Sequence, residues 1–391
     1  MPASYDLIIL GGGCAGLSLA MRLSEQGVNC PKVLIIERRE HYVNDRTWCF
    51  WGTADAHLKH LSTHSWEAVK IKSALGAINI DCKDTPYTML SAKVFYQNAL
   101  QVIAKNNRIT MHFNATVLTV PTKTNELWQI ICNDEIYATK SIVDTRPTKI
   151  PQHGDATLWQ SFYGHEIECE IAVFDPNTAT LMDFNNDKTC VCFNYVLPIS
   201  TTKALIETTV FATHPVPHQN LAAKLDQAIA QYTANQPYKI TRSEHGILPM
   251  GNTPQTGGQD NSYIQAGLFA GAARPSTGYA FQRIQRWAQL CAKAMHQNQH
   301  PIPHQPDSIL QSAMDRLFLK LISAQPILAP VIFLTLFRQC DTPKLIRFLS
   351  DKAKLTDYLA IVLALPPLPF LKQLRISFFE KLNGYAIKKT H

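Results

Sequence analysis

The sequence predicts an α/β fold built from more than one domain, and three observations carry that prediction. The chain has 391 residues, too long for one average domain. Its first residues combine a short apolar run, a glycine cluster, a helical pattern and a second apolar run, which together describe a βαβ unit. Far downstream, Gly267 to Gly278 (GLFAGAARPSTG) forms a second glycine-bearing turn, and the helical stretch Tyr279 to His296 follows it.

In chain order, Tyr5 to Leu10 (YDLIIL) is continuous and apolar, as suits a strand buried on both faces. Gly11, Gly13 and Gly16 follow at G-x-G-x-x-G spacing, Leu17 to Leu23 continues as helix, and Gly27 ends it. Val33 to Ile36 is a second strand, closed by Glu37 twenty-one residues after Gly16. Gly11 permits the tight turn, Gly13 lets backbone approach a pyrophosphate, and Gly16 lets helix and strand pack closely. The helix N-terminus offers N–H groups to phosphate, and Glu37 an acceptor to ribose. No second glycine fingerprint for a nicotinamide follows, and the late turn at Gly271 with its helix resembles the late return of many flavoproteins to their first domain, which favours FAD over NAD. Ala272 stands where most such turns carry an acid.

Beyond this unit, Lys93 to Lys105 reads as an amphipathic helix and Thr110 to Val120 as a strand. Trp128 to Ile142 reads as a hairpin turning at Asn133 and Asp134. Strands are expected at Ser161 to Val173, Cys190 to Pro198 and Ala204 to Phe211, and proline-broken helices over 301–391.

Several strings narrow the reading. They are NDRTWCFW (Asn44 to Trp51), DTRP (Asp144 to Pro147), LMDF (Leu181 to Phe184), FNYVLP (Phe193 to Pro198) and LIETT (Leu205 to Thr209). EHGILPM (Glu244 to Met250), RPSTGY (Arg274 to Tyr279), FLSD (Phe348 to Asp351) and LPPLPFL (Leu365 to Leu371) follow. In this order and spacing they resemble the lycopene cyclase family, over nearly the whole chain. The resemblance implies a Rossmann-like FAD-binding domain interrupted by an α+β substrate domain, with a helical C-terminal segment. The expected division is 1–70, 95–150 and 245–300 for FAD, 71–94 and 151–244 for substrate, and 301–391 for a membrane-facing segment.

The implied reaction is the β-cyclisation of lycopene, through γ-carotene to β-carotene, without net redox change. An alkene is a very weak base, so its acid must be held protonated in an apolar pocket. Reduced FAD would add negative charge near the cation, with NAD(P)H as reductant. Glu207, in LIETT, is the expected catalytic carboxylate; on pattern alone it is equally an acid on an alternating strand. Most relatives place a second acid directly after it, where this chain has Thr208. Asp183 is the second catalytic candidate, with a structural ion pair as its alternative. Glu244 is expected to pair with an arginine or cap a turn, with a direct catalytic role as the alternative. The expected cofactor residues are Gly11, Gly13, Gly16, Glu37, Arg46, Asp144, Gly271, Gly278 and Tyr279. Trp48 is either a pocket aromatic or core.

Composition bounds the rest. The chain is 46% hydrophobic and 17% charged. Its net charge of +7 lies in 309–391, where 12 Lys and Arg face 5 Asp and Glu. Those cations are interleaved with aliphatic stretches, which favours a lipid surface over nucleic acid, with a solvated helical face that merely caps the FAD-binding domain as the alternative. No apolar run reaches the roughly 18 residues of a membrane span. The ten cysteines show no metal-ligand spacing and, with no signal peptide in the first residues, suggest a cytoplasmic protein on a membrane surface. Two other readings stay open: an FAD-dependent isoprenoid reductase or hydroxylase, and a flavin-binding protein without catalysis.

Overall fold

The computed structural model describes residues 3–52, 58–147, 156–185, 187–251 and 260–388. The first of its three sheets follows from the glycine unit. Strands β1 (Ala3–Leu10), β2 (Val33–Ile36) and β8 (Ile109–His112) run parallel, and β11 (Glu135–Asp144) and β17 (Tyr263–Gln265) extend the parallel set on the other side of β1. β10 (Leu127–Cys132) and β9 (Thr122–Thr124) complete it as an antiparallel edge. Leu7 to Leu10 are wholly buried, worth about 1.5–3 kcal/mol per large side chain. Helices α1 (Cys14–Ser24), α2 (Ala92–Ile103) and α4 (Phe281–His296) share one core with these strands. The β10–β11 turn has Asn133 and Asp134 at positive φ, the geometry of a tight hairpin. The strand expected over Thr110 to Val120 stops at His112, because Asn114 turns left-handed and its N–H bonds the Arg39 carbonyl.

The second sheet runs β16 (Tyr238–Met250), β12 (Leu158–Cys169), β15 (Lys203–Ala212), β14 (Val191–Pro198), β13 (Thr178–Phe184), β5 (Ala68–Ser73), β6 (Gly76–Asp81). One face packs against α3 (Ala222–Tyr232). The opposite face shares a core with α5 (Ile309–Ala324), α6 (Ala329–Gln339), α7 (Thr342–Leu349) and α8 (Leu355–Ala364). Helix α9 (Pro367–Lys388) follows. A three-stranded sheet of β3 (Thr47–Trp51), β7 (Tyr87–Ser91) and β4 (His64–Trp66) bridges the two large sheets.

The pairings shift the expected boundaries. All of β5 from Ala68, and all of β16 to Met250, pair in the second sheet, so 68–70 and 245–250 leave the FAD-binding part to which they were assigned. β7 pairs with β3 instead of the substrate sheet. The junction at 150/151 and the last three residues lie outside the described residues.

Candidate active site

The nucleotide end lies at the carboxyl edge of the parallel strands. Gly11 has φ +96°, and a methyl on Gly16 would overlap the Gly11 carbonyl. Gly13 caps α1 without any side-chain acceptor, and a methyl there would meet nothing within 4 Å. An open, uncapped helix N-terminus behind a glycine turn fits a pyrophosphate. Glu37 reaches it from β2: it accepts the Gly12 N–H at 2.7 Å and the Arg39 Nε–H at 3.0 Å. Tyr42 closes the loop by donating to the Gly12 carbonyl at 2.6 Å.

Asp144 is held by partners within the protein, as Glu37 is. Its carboxylate is taken by Arg146 (2.7 and 2.9 Å) and the Tyr263 hydroxyl (2.8 Å), leaving it to hold Arg146 beside Gly11. Arg146, about one-third exposed beside Gly11, is thus a basic side chain at the nucleotide end that the sequence did not single out. Arg46 is half-exposed near Asp45, and its charge is felt at Cys14 of α1 and at Glu244. Gly271 is left-handed, and the buried Ala272 donates its N–H back to the Gly267 carbonyl.

The 274–279 loop brings this end to the second sheet. Gly278 has φ +70° and lies against Gln160 of β12, whose buried side-chain oxygen has no partner. Such an orphaned acceptor beside a glycine loop fits a ligand carrying N–H donors. Half-buried Tyr279 approaches Tyr87 of β7 at 3.3 Å, and Tyr195 of β14 donates to Tyr87 at 2.8 Å. Burial holds all three phenols protonated, that of Tyr279 at about 12.

Glu207 stands at the centre of one row across four strands. Tyr195, Glu207, Gly164 and Glu244 are direct cross-strand partners on β14, β15, β12 and β16, so their side chains share a face. Glu207 is 8% exposed and Glu244 4%. Between them Gly164 contributes no side chain, and a methyl there would stand 3.1 Å from the Glu207 Cβ. Burial raises Glu207 to about 8, with the Glu244 charge adding, while the Thr209 hydroxyl (2.8 Å) and Arg242 oppose. Burial raises Glu244 too, against Arg242, which is ion-paired with it, and Thr47, which donates at 2.9 Å. Thr47 and Cys49 of β3 face this slot. Trp48 points the other way, stacking on Phe281 at 5.4 Å as core.

Asp183 does not join Glu207. It pairs with Asn194, one residue out of phase, and so projects from the opposite face, where Tyr232 of α3 (2.7 Å) and Lys72 (3.1 Å) hold it. The structural ion pair weighed for it is what the fold builds. Thr208 also lies on that face, fully buried and bonded to Asn194 at 2.9 Å. The position after Glu207 thus points away from the slot whichever residue fills it.

A buried ionic node ties the loop to the C-terminal helices. Arg274 is wholly buried and bonds Asp315 of α5 (3.2 Å), the Phe348 carbonyl of α7 and Asp351 (3.8 Å). Asp351 also pairs with Arg283 and Arg286 of α4.

The model of the lycopene cyclase protein family matches residues 6–375. The chain belongs to the lycopene cyclase family. A lycopene beta-cyclase of Pantoea ananas is 23% identical, over 96% of this chain and 98% of that protein. The chloroplastic lycopene beta cyclase of Nicotiana tabacum is 24% identical over 74% of this chain, which spans only 60% of that relative. Among solved structures, a flavin-dependent brominase superposes with a TM-score of 0.63 at 13% identity, over 97% of this chain and 100% of that one. A geranylgeranyl bacteriochlorophyll reductase-like protein of Thermoplasma acidophilum gives 0.61 at 13%, over 96% and 99%. These two likenesses establish that this member of the family has the fold of those proteins.

Proposed function

We propose that this lycopene cyclase family member is a lycopene β-cyclase. It holds FAD and converts lycopene end groups to β-rings with no net redox change. The observation that carries the proposal is the placement of Glu207, a buried carboxyl in one cross-strand row with Tyr195, Gly164 and Glu244, on the sheet face that meets Thr47 of β3 and the apolar core under the C-terminal helices; burial there favours its protonated form.

The α1 N-terminus at Gly13, Glu37, Arg146, Gln160 and the Gly278–Tyr279 loop are the residues that would hold FAD. Bound and reduced by NAD(P)H, FAD would supply negative charge beside a carbocation without giving up hydride. Glu207 donates its proton to C2 of the terminal C1=C2 alkene: its O–H bond breaks as the C–H bond forms, leaving the cation at C1. The C5–C6 alkene attacks the tertiary cation, closing the ring through C1–C6. The C6 proton then returns to a Glu207 oxygen, so protons balance and product mass equals substrate mass. Trp51, Tyr87, Tyr195 and Tyr279 exclude water that would quench the cation, and their faces favour positive charge.

Lycopene is a hydrocarbon of the bilayer, so the enzyme is proposed to act from the cytoplasmic side as a peripheral membrane protein. No single helix among the described residues is long and apolar enough to cross a membrane. Two helix pairs, Ile309–Ala324 with Pro326–Gln339 and Leu355–Ala364 with Pro367–Phe378, would pass by length and composition only together, and they bend by 113° and 104°. What supports docking is the exposed apolar surface of α8 and α9, including Leu359, Leu363, Leu371 and Phe378, next to Lys352, Lys354, Lys372 and Arg375.

The test is expression in a lycopene-accumulating cell with pigment and mass analysis. Wild type should yield β-ring carotenes of unchanged mass, and Glu207→Gln should lose at least ~100-fold activity while keeping its flavin. A product differing by hydrogen or oxygen would instead favour an isoprenoid reductase or hydroxylase. Bound flavin with unaltered lycopene would make the protein a non-catalytic binder.

A further inference from the structure

The row across the second sheet holds two acids, and the reaction as proposed uses one. Glu207 and Glu244 lie two strands apart, about 10 Å between their backbones. The residue between them on β12 is Gly164, which places no side chain in the gap; a methyl there would stand 3.1 Å from the Glu207 Cβ. Their environments differ. Glu207 has one uncharged donor, Thr209. Glu244 has a guanidinium and a hydroxyl, and Arg242 itself donates to Thr47 at 2.8 Å and to Glu166 at 3.2 Å. Two carboxylates this close and this buried cannot both ionise cheaply. The one bonded to the guanidinium keeps the charge.

We propose that Glu244 is the second carboxylate of the site, a positioning residue pinned as the anion by Arg242 and Thr47, which keeps Glu207 loaded with its proton and presents a fixed negative charge to the cation formed over Gly164. The inference rests on the cyclase reading. Glu244 exchanges no proton in the cycle; the proton given by Glu207 is the one it regains from C6. It also gives this chain a two-acid site with Thr208 at position 208, because the second acid comes from β16. The ionisable or charged groups facing the pair are Arg242 of the same strand, Glu166 of β12 with Lys203 of β15, Arg46 and Cys49 around β3, and the phenols of Tyr195, Tyr87 and Tyr279.

The test reads Glu207 directly. In flavin-loaded enzyme without carotene, the protonated-carboxyl infrared band assigned by its loss in Glu207→Gln is titrated. Wild type should lose it near pH 8. Glu244→Gln should move that midpoint down by at least one pH unit, and Glu244→Asp, which keeps the charge, should not. Cyclisation by Glu244→Gln should fall about 10–100-fold at the wild-type optimum, with its alkaline limit shifted down and flavin content unchanged. Should Glu244→Gln fail to fold, Arg242→Gln/Glu244→Gln removes both partners of the ion pair and should give a smaller shift of the same sign. A midpoint that stays in place, or an Asp variant behaving like the Gln variant, overturns the proposal. Wild type that leaves lycopene unaltered overturns the cyclase reading alone, since the titration needs no substrate.

Discussion

At the scale of single residues, strand parity separates Glu207 from Asp183 and from Thr208. Glu207 and Thr208 are adjacent in sequence and lie on opposite faces, and Asp183 shares the Thr208 side. Glu207 was legible because its motif singled it out. Its partner was not, because Glu244 becomes a neighbour only through the β12–β16 register, which no local pattern encodes. Gly164 was a missed cue: a glycine inside the alternating run of β12 was available to notice. The raised Glu207 value also bears on stability. Folded protein holds this proton up to about pH 8, while the unfolded chain loses it near 4.5. The stabilisation is therefore complete below 4.5 and drains away as pH rises through 8. Glu207→Gln cannot ionise in either state. Its melting temperature relative to wild type should rise between pH 5 and pH 9, as scanning calorimetry would reveal; a constant difference would contradict it.

At the scale of elements, periodic segments were readable and long-range pairings were not. α1, α2, β2 and the β10–β11 hairpin fall within a few residues of their expected positions, because glycines, amphipathic spacing and a turn dipeptide act locally. The boundary near residue 70 was missed because β5 is recruited by parallel pairing to β13, more than a hundred residues away. Nor did sequence reveal that the arginine of RPSTGY is buried against the C-terminal helices. Arg274→Met would leave Asp315 without its buried ion-pair partner, a change that typically costs about 3–5 kcal/mol, while Asp351 keeps Arg283 and Arg286. It should lower the denaturation midpoint and also weaken flavin retention, since Gly278 donates its N–H to the Arg274 carbonyl at 2.9 Å. Normal flavin content at a lowered midpoint would separate the node from the cofactor loop.

At the scale of the whole molecule, charge and grease gather in the C-terminal helices, and composition alone pointed there. The proposed docking face predicts that binding to vesicles of anionic lipid weakens as salt screens Lys352, Lys354, Lys372 and Arg375. Leu359→Glu/Leu363→Glu should reduce co-sedimentation at least several-fold while cyclisation of detergent-dispersed lycopene persists. Equal sedimentation by both proteins at low salt would remove α8 from the interface. The long strand β12 has a consequence for the reaction as a whole. It carries Gln160 against the Gly278 loop and Gly164 in the acid row, four residues apart on one face and so about 13 Å along the strand. A single run of hydrogen-bonded backbone thus fixes the distance between the Gly278 loop and the acid row. Side-chain changes cannot adjust its length, and one inserted residue would turn one of its two ends to the wrong side.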